Sequence, residues 1–189
     1  MGVALINDRT KDVVATEVEV ALTRPDLVRS LVLAPPGGSL LVEATPALRE
    51  FFAAEGEALE RGDLEAAVEA DVATWVVGRG REAADVDAGV AASVRVMQRR
   101  AFELTDGWDD LDEVELDPPA VERLGDLAAP VLLVVGGHDL DATELAAAHV
   151  EAAAPRVSRV DWADAAHLPS MEHPDRFADL VLGWVAERD

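Results

Sequence analysis

The sequence predicts an α/β protein, in which a few-stranded parallel sheet is flanked by helices and a block of further helices is inserted between its strands. Three observations carry that prediction. Val131-Leu132-Leu133-Val134-Val135 is an uninterrupted run of β-branched residues and leucine, which suits a strand buried on both faces of a parallel sheet. Residues 142–154 are alanine-rich, with Leu145, Ala148 and Ala152 at helical spacing; Pro155 stops them, and Val157, Val160 and Trp162 follow as a short second strand. From residue 45 to about 106 strand-formers give way to glutamate-rich helical periodicity.

Taken in order, residues 3–6 read as a short strand and Asn7-Asp8-Arg9-Thr10-Lys11-Asp12 as a polar turn. Residues 13–22 mix two periods: Val14, Val18, Ala21 and Leu22 share a helix face, while Val18-Glu19-Val20 alternates as a strand would, and helix is the better fit. Arg24-Pro25-Asp26 ends that helix, because proline disfavours helical backbone in the residue before it. Residues 27–34 form a buried strand closed by Pro35-Pro36-Gly37-Gly38. Thr45-Pro46 supplies a cap and a first-turn proline for a helix carrying Leu48, Phe51, Phe52 and Leu59. Gly62-Asp63 separates a second helix with Leu64, Ala67, Val68, Val72, Trp75 and Val76 at intervals of three and four. After the Gly78-Arg79-Gly80 loop, a third helix spans residues 87–104, with Val90, Val94, Met97 and Ala101 on one face and Arg95, Arg99 and Arg100 largely off it. An acidic connector, residues 106–119, and a short segment at 121–127 lead back to the strand at 131–135. Pro169 and Pro174 bracket a turn, and Phe177, Leu180, Val181, Trp184 and Val185 make the apolar stripe of a closing helix. The division is an incomplete α/β core, residues 1–38 and 119–189, around a helical lid, residues 39–118.

The composition excludes several classes. Sixteen basic side chains against 38 acidic ones leave a formal net charge of -22, which opposes general attraction to nucleic-acid phosphate or anionic lipid, so neither nucleic acid nor membrane is an expected partner. With no cysteine there are no disulfides, thiolate metal sites or cysteine nucleophiles. The start of the chain lacks the basic and apolar regions of a signal peptide, has Ile6 where a myristoylation motif needs serine or threonine, and no window approaches 18 apolar residues. A soluble cytoplasmic protein is the expectation. Four histidines without ligand spacing predict no metal and no cofactor.

Asp139 and His167 are the candidate site residues. A strand, crossover helix and parallel strand form one βαβ unit whose loops, at the carboxyl ends of both strands, share one edge of the sheet. Asp139 follows the first strand and His167 the second, which predicts neighbours in space across 28 positions of sequence. An imidazole moves protons near neutral pH without large perturbation, and a buried carboxylate on its other nitrogen fixes its tautomer. The competing reading makes Asp139 a cap for the next helix. His138 reads as a bystander, His149 as a helix-face residue and His173 as the start of the last helix.

Three segments, in this order and with helices between the first two, resemble the α/β-hydrolase superfamily. They are Leu31-Val32-Leu33 after Arg24-Pro25-Asp26-Leu27-Val28-Arg29, the run from Pro130 to Gly136-Gly137-His138-Asp139, and Ala166-His167-Leu168-Pro169-Ser170-Met171-Glu172-His173-Pro174. More narrowly, they resemble its lid-bearing esterases, lactonases and carbon-carbon hydrolases. The resemblance implies a partial α/β-hydrolase fold and hydrolysis of an ester, lactone or related acyl bond in a small apolar substrate beneath the lid. It makes Asp139 the acid and His167 the base of a chain order serine, acid, histidine.

The sequence departs from that family at the nucleophile. The elbow, glycine-x-serine-x-glycine, should stand before the helix at residues 13–22, where Asn7-Asp8-Arg9-Thr10-Lys11-Asp12 has neither serine nor glycine. Ser39 after Gly37-Gly38 is the nearest imitation but follows the wrong strand, and Asp8 lacks the flanks of carboxylate-nucleophile relatives. The upstream strands and the oxyanion loop are also absent, as in a truncated or rearranged gene. A sheet of so few strands leaves an open edge and predicts a homo-oligomer formed through it. Two main outcomes follow: an acyl-bond hydrolase, or an inactive truncated hydrolase serving as a binding or assembly module. A third class, an acidic interaction protein working through its glutamate-rich helices, rests on those helices alone.

Overall fold

A computed structural model describes residues 17–105 and 116–188; the strand and turn expected at residues 3–12 and most of the acidic connector lie outside the described residues. Three strands, β1 (Leu31–Leu33), β2 (Val131–Gly136) and β3 (Val157–Trp162), form a parallel sheet in the order β1-β2-β3. Among the described residues seven α-helices accompany them: α1 (Glu17–Thr23), α2 (Pro46–Glu60), α3 (Leu64–Asp71), α4 (Ala88–Thr105), α5 (Asp141–Ala153), α6 (Pro169–Glu172) and α7 (Pro174–Ala186). Leu31 pairs with Val131, and Val131 with Val157, so the strands start level and their carboxyl ends face one edge.

The central strand β2 is buried at all six positions, and the period of two sorts its side chains into two cores. Val131, Leu133 and Val135 pack with Val18, Ala21 and Leu22 of α1 and with Ala147 and Val150 of α5. Leu132 and Val134 point the other way, against Trp162, Phe177, Val181 and Trp184, which gives α7 its apolar stripe. The edge strand β3 carries charge instead: Arg159 binds Glu144 and Asp161, both at 2.7 Å, and its hydrogen bonds to Asp161 and Glu144 raise its pKa. A charged edge of this kind resists pairing with another strand. Strand β1 is shorter than residues 27–34, because residues 24–28 are spent on turn hydrogen bonds, Leu27 N–H to Arg24 C=O at 2.9 Å among them.

The helices between β1 and β2 begin where the cap residues predict. The Thr45 hydroxyl accepts from the Leu48 N–H at 3.3 Å and donates to Asp141 at 2.6 Å, which ties the start of α2 to the start of α5. Asp63 caps α3 through the Ala66 N–H, and Asp87 accepts from the Gly89 and Val90 N–H groups at the start of α4. Helix α3 runs on into a π-helical turn, Val72–Val77, closed by the Gly78 N–H on the Ala73 carbonyl. Leu48 and Phe51 meet Leu140 and Ala142 just past the carboxyl end of β2, so α2 lies over the rim of the sheet. Instead of a bare turn between Pro169 and Pro174, the chain makes the single helical turn α6.

Three helix faces differ from the periodicity reading. In α2 the buried side is Leu48, Phe51, Glu55 and Ala58, leaving Phe52 51% exposed and Leu59 outward. In α4 it is Val94, Gln98 and Phe102, with Met97 51% exposed. That face packs Phe102 against Ala58, Ala67 and Val68, and at its flank Arg95 and Arg99, four apart, reach Glu69 and Glu65 on α3. In α5 the inward side is Ala142, Thr143, Ala146, Ala147 and Val150, whereas Leu145, Ala148 and Ala152 face solvent. A helix laid close on a sheet selects small residues for the contact, so size outweighs hydrophobicity in choosing its face.

Candidate active site

Two loops at the carboxyl ends of β2 and β3 make the site. The loop after β2 is bound to the loop after β3 by the Gly137 N–H on Trp162 C=O at 2.9 Å and the His138 N–H on Ala165 C=O at 3.0 Å. This approach requires a glycine at 136, where a β-carbon would stand 2.0 Å from the Ala166 carbonyl oxygen and 2.6 Å from that of Ala165. The turn after the π segment presses in as well: Gly78 has φ +74°, and a β-carbon there would lie 2.4 Å from the His138 carbonyl oxygen.

Asp139 is 1% exposed, and its two carboxylate oxygens stand 3.0 and 2.9 Å from Nδ1 of His167. Its Oδ1 also accepts the Leu140 N–H at 2.7 Å. An ionised carboxylate only accepts, so Nδ1 carries the proton and the lone pair of the neutral ring lies on Nε2. Asp139 is not the cap of α5: Leu140 holds that position, and the first-turn carboxylates are Asp141 and Glu144. The His167 side chain is 18% exposed and its ring lies on Trp75, with centroids 4.4 Å apart, while its N–H donates to the Trp75 carbonyl at 3.2 Å. Phe51 meets Trp75 edge-on at 4.9 Å and Phe52 follows at 5.3 Å, so a row of aromatic rings leads from the surface of α2 to the imidazole.

The other histidines are elsewhere. His138 Nδ1 lies 2.8 Å from the Arg79 carbonyl and His149 Nε2 lies 3.2 Å from the Val121 carbonyl. His173 is the residue before α7 and lies 3.4 Å from Asp164. The Arg176 guanidinium beside Asp164 holds that carboxyl below the usual carboxylate range. Among the described residues no hydroxyl hydrogen-bonds to His167; Ser93 donates to its own helix at Gly89 and Ser39 sits in a 3-10 turn, whereas Asp8 is outside the described residues. Nor do the described residues bring three His, Asp or Glu side chains together as metal ligands.

Sequence reasoning missed three contributors: Trp75, read only as an apolar helix residue, and the pair Arg81 and Glu172. Arginine is scarce against the acidic residues here, and an arginine directly after Gly78-Arg79-Gly80 was the available signal for the pair.

A parallel sheet with helices on both faces, a helical block before the penultimate strand, and an acid and a histidine on the last two strand ends make this a partial α/β-hydrolase fold. Solved structures share it. An esterase from Thermogutta terrifontis is 18% identical with a TM-score of 0.56, and the match covers 90% of this chain and 60% of that one. A proline iminopeptidase from Mycobacterium smegmatis is 20% identical, TM-score 0.53, over 90% of this chain and 61% of that one. Est816, described as an N-acyl homoserine lactone degrading enzyme, is 17% identical, TM-score 0.56, over 88% and 61%. The chain thus spans about three fifths of the length of the structures it matches. No protein-family model and no curated protein matches it. No described helix is long and apolar enough to cross a membrane.

Proposed function

We propose that this chain carries the acid and base of an acyl-bond hydrolase, acting on an ester, lactone or related bond in a small apolar substrate. The observation that carries the reading is the buried Asp139 carboxylate on Nδ1 of His167. Asp139 fixes the ring so that Nε2 takes a proton from the attacking oxygen and returns it to the leaving group, while the carboxylate stabilises the imidazolium formed between those steps. Residues 39–118 act as the lid, and the aromatic row from Phe52 to Trp75 is the apolar wall along which the acyl group lies. The three proteins named above are described as an esterase, a proline iminopeptidase and an N-acyl homoserine lactone degrading enzyme, which suits an acyl substrate without selecting one.

A second reading is favoured by one observation: no hydroxyl among the described residues stands on His167. In it the chain is a catalytically silent relative that serves as a binding or assembly module. Hydrolysis of p-nitrophenyl butyrate separates the two. Turnover lost in His167→Ala supports the hydrolase; turnover no faster than buffer, or indifferent to His167→Ala, supports the silent module. In either case the outer edge of β1, which pairs with no described strand, is where a second copy would add a strand, and a monomer in sedimentation at micromolar concentration refutes that assembly.

A further inference from the structure

The segment that presents His167 is held from behind by an ion pair that the acid–base chemistry does not use. Arg81 and Glu172 have side chains only 9% and 7% exposed, with Nη1 of the arginine 2.7 Å from Oε2 of the glutamate. Each partner also binds backbone. Glu172 Oε1 accepts the Ala166 N–H, adjacent to His167, at 2.6 Å. Arg81 donates from Nε to the Val77 carbonyl and from Nη2 to the Val76 carbonyl, both at 2.7 Å, and from Nη1 to the Asp164 carbonyl at 3.3 Å. The arginine fork therefore satisfies two carbonyls left over at the end of the π turn, and the Trp75 carbonyl just before them takes the His167 N–H. The peptide N–H groups of residues 166 and 167 are thus fixed by two different elements, α6 and the π turn, which the ion pair joins.

We propose that the buried Arg81–Glu172 pair is a positioning device that locks the π turn to the His167 loop and so sets Nδ1 of His167 against Asp139. It deepens the acid–base reading above and rests on it. Only a planar, forked cation reaches three carbonyls and a carboxylate at once, so lysine is no substitute for Arg81. A buried ion pair by itself contributes little net stability compared with apolar residues of similar volume, so the stability this pair supplies lies in the backbone groups it binds.

The test reads the proton on His167 directly, by pH-dependent imidazole 15N shifts in the labelled full chain, with His149 as the internal control. In the parent, Nδ1 of His167 is protonated. The double variant Arg81→Met with Glu172→Met takes the partners from the Val76 and Val77 carbonyls and the Ala166 N–H, so its thermal midpoint is expected to fall, and it is expected to move His167 to the Nε2–H tautomer that solution favours while His149 is unchanged. Arg81→Lys, a milder change that carries the test should the double variant not fold, is expected to shift the tautomer the same way. Glu172→Gln, which keeps an acceptor for the Ala166 N–H, is expected to restore much of the parent signal. A parent-like His167 spectrum in the double variant, or in Arg81→Lys, overturns the proposal. Asp139→Asn tells the two levels apart: if it leaves His167 unmoved, the Asp139–His167 reading fails, whereas if it moves His167 and the Arg81 and Glu172 variants do not, only the positioning device fails.

Discussion

Replacing Gly136 with alanine tests the geometry of the site without any need for turnover. The added β-carbon would sit 2.0 Å from the Ala166 carbonyl oxygen, 2.6 Å from that of Ala165 and 2.7 Å from the Ala166 carbonyl carbon. All three are backbone atoms with no rotamer to escape into. Reaching even a tight 3.0 Å contact moves the oxygen by 1.0 Å, the difference between 3.0 and 2.0 Å. The next residue is His167, whose Nδ1 lies 2.9 Å from Asp139, and an equal displacement carries it out of hydrogen-bond range. Overpacking costs about 1–3 kcal/mol and a hydrogen bond to a charged group about 1.5–3 kcal/mol, so the expected loss is about 3–5 kcal/mol. For a chain of this size that lowers the midpoint of thermal unfolding by roughly 6–20 °C. Calorimetry or circular dichroism measures it, and the imidazole 15N spectrum reports whether His167 has left Asp139. Gly183→Ala is the matched control, since a β-carbon on that α7 residue has nothing within 4 Å, and a helix interior gains about 0.5–1 kcal/mol from the change. A Gly136→Ala protein that melts within about 2 °C of the parent and keeps His167 protonated on Nδ1 would refute the claim that this close approach sets the site.

Asp139→Ala strands the His167 Nδ1–H and the buried Leu140 N–H, at about 1–3 kcal/mol per unsatisfied group, a loss that urea unfolding measures and a cost near zero contradicts. Leu133→Ala opens a cavity in the fully buried strand β2 and is expected to cost about 2–5 kcal/mol with His167 still on Asp139; a change under about 1 kcal/mol would show that the first core is not packed as described. Arg95 depresses the pKa of Glu69, so this pair stabilises the fold above the unfolded-state value near 4.5 and the contribution disappears as pH falls through the lower folded value. Because Glu69 is half-exposed, Glu69→Gln should cost under about 0.5 kcal/mol at pH 7 and nothing at pH 2; equal losses at both would mean the pair is not the cause.

Much of the fold could be read along the chain, because its elements carry local signals. Thr45-Pro46 caps α2, Pro155 and Pro174 mark boundaries, and the unbroken apolar run makes β2 the central strand. Parallel connection then puts the two loops on one edge, and Asp139 and His167 lie within 3.0 Å of each other. The helix faces were less legible. An alanine-rich helix such as α5 offers many nearly equivalent apolar stripes, and the choice among them belongs to the sheet it packs on. In α4 the choice belongs to Ala58, Ala67 and Val68 on other helices, and in α2 to Leu140 and Ala142 after β2.

Composition and chain order are enough for the described strands, the helical block and the meeting of Asp139 with His167, since hydrophobic period, caps and crossover handedness act over a few residues or one βαβ unit. The ring of Trp75 on His167, the Arg81–Glu172 pair and the glycine requirement at 136 emerge only once the chain is packed. Each depends on segments from 30 to 92 positions apart meeting within a few ångström, a separation over which no local pattern operates.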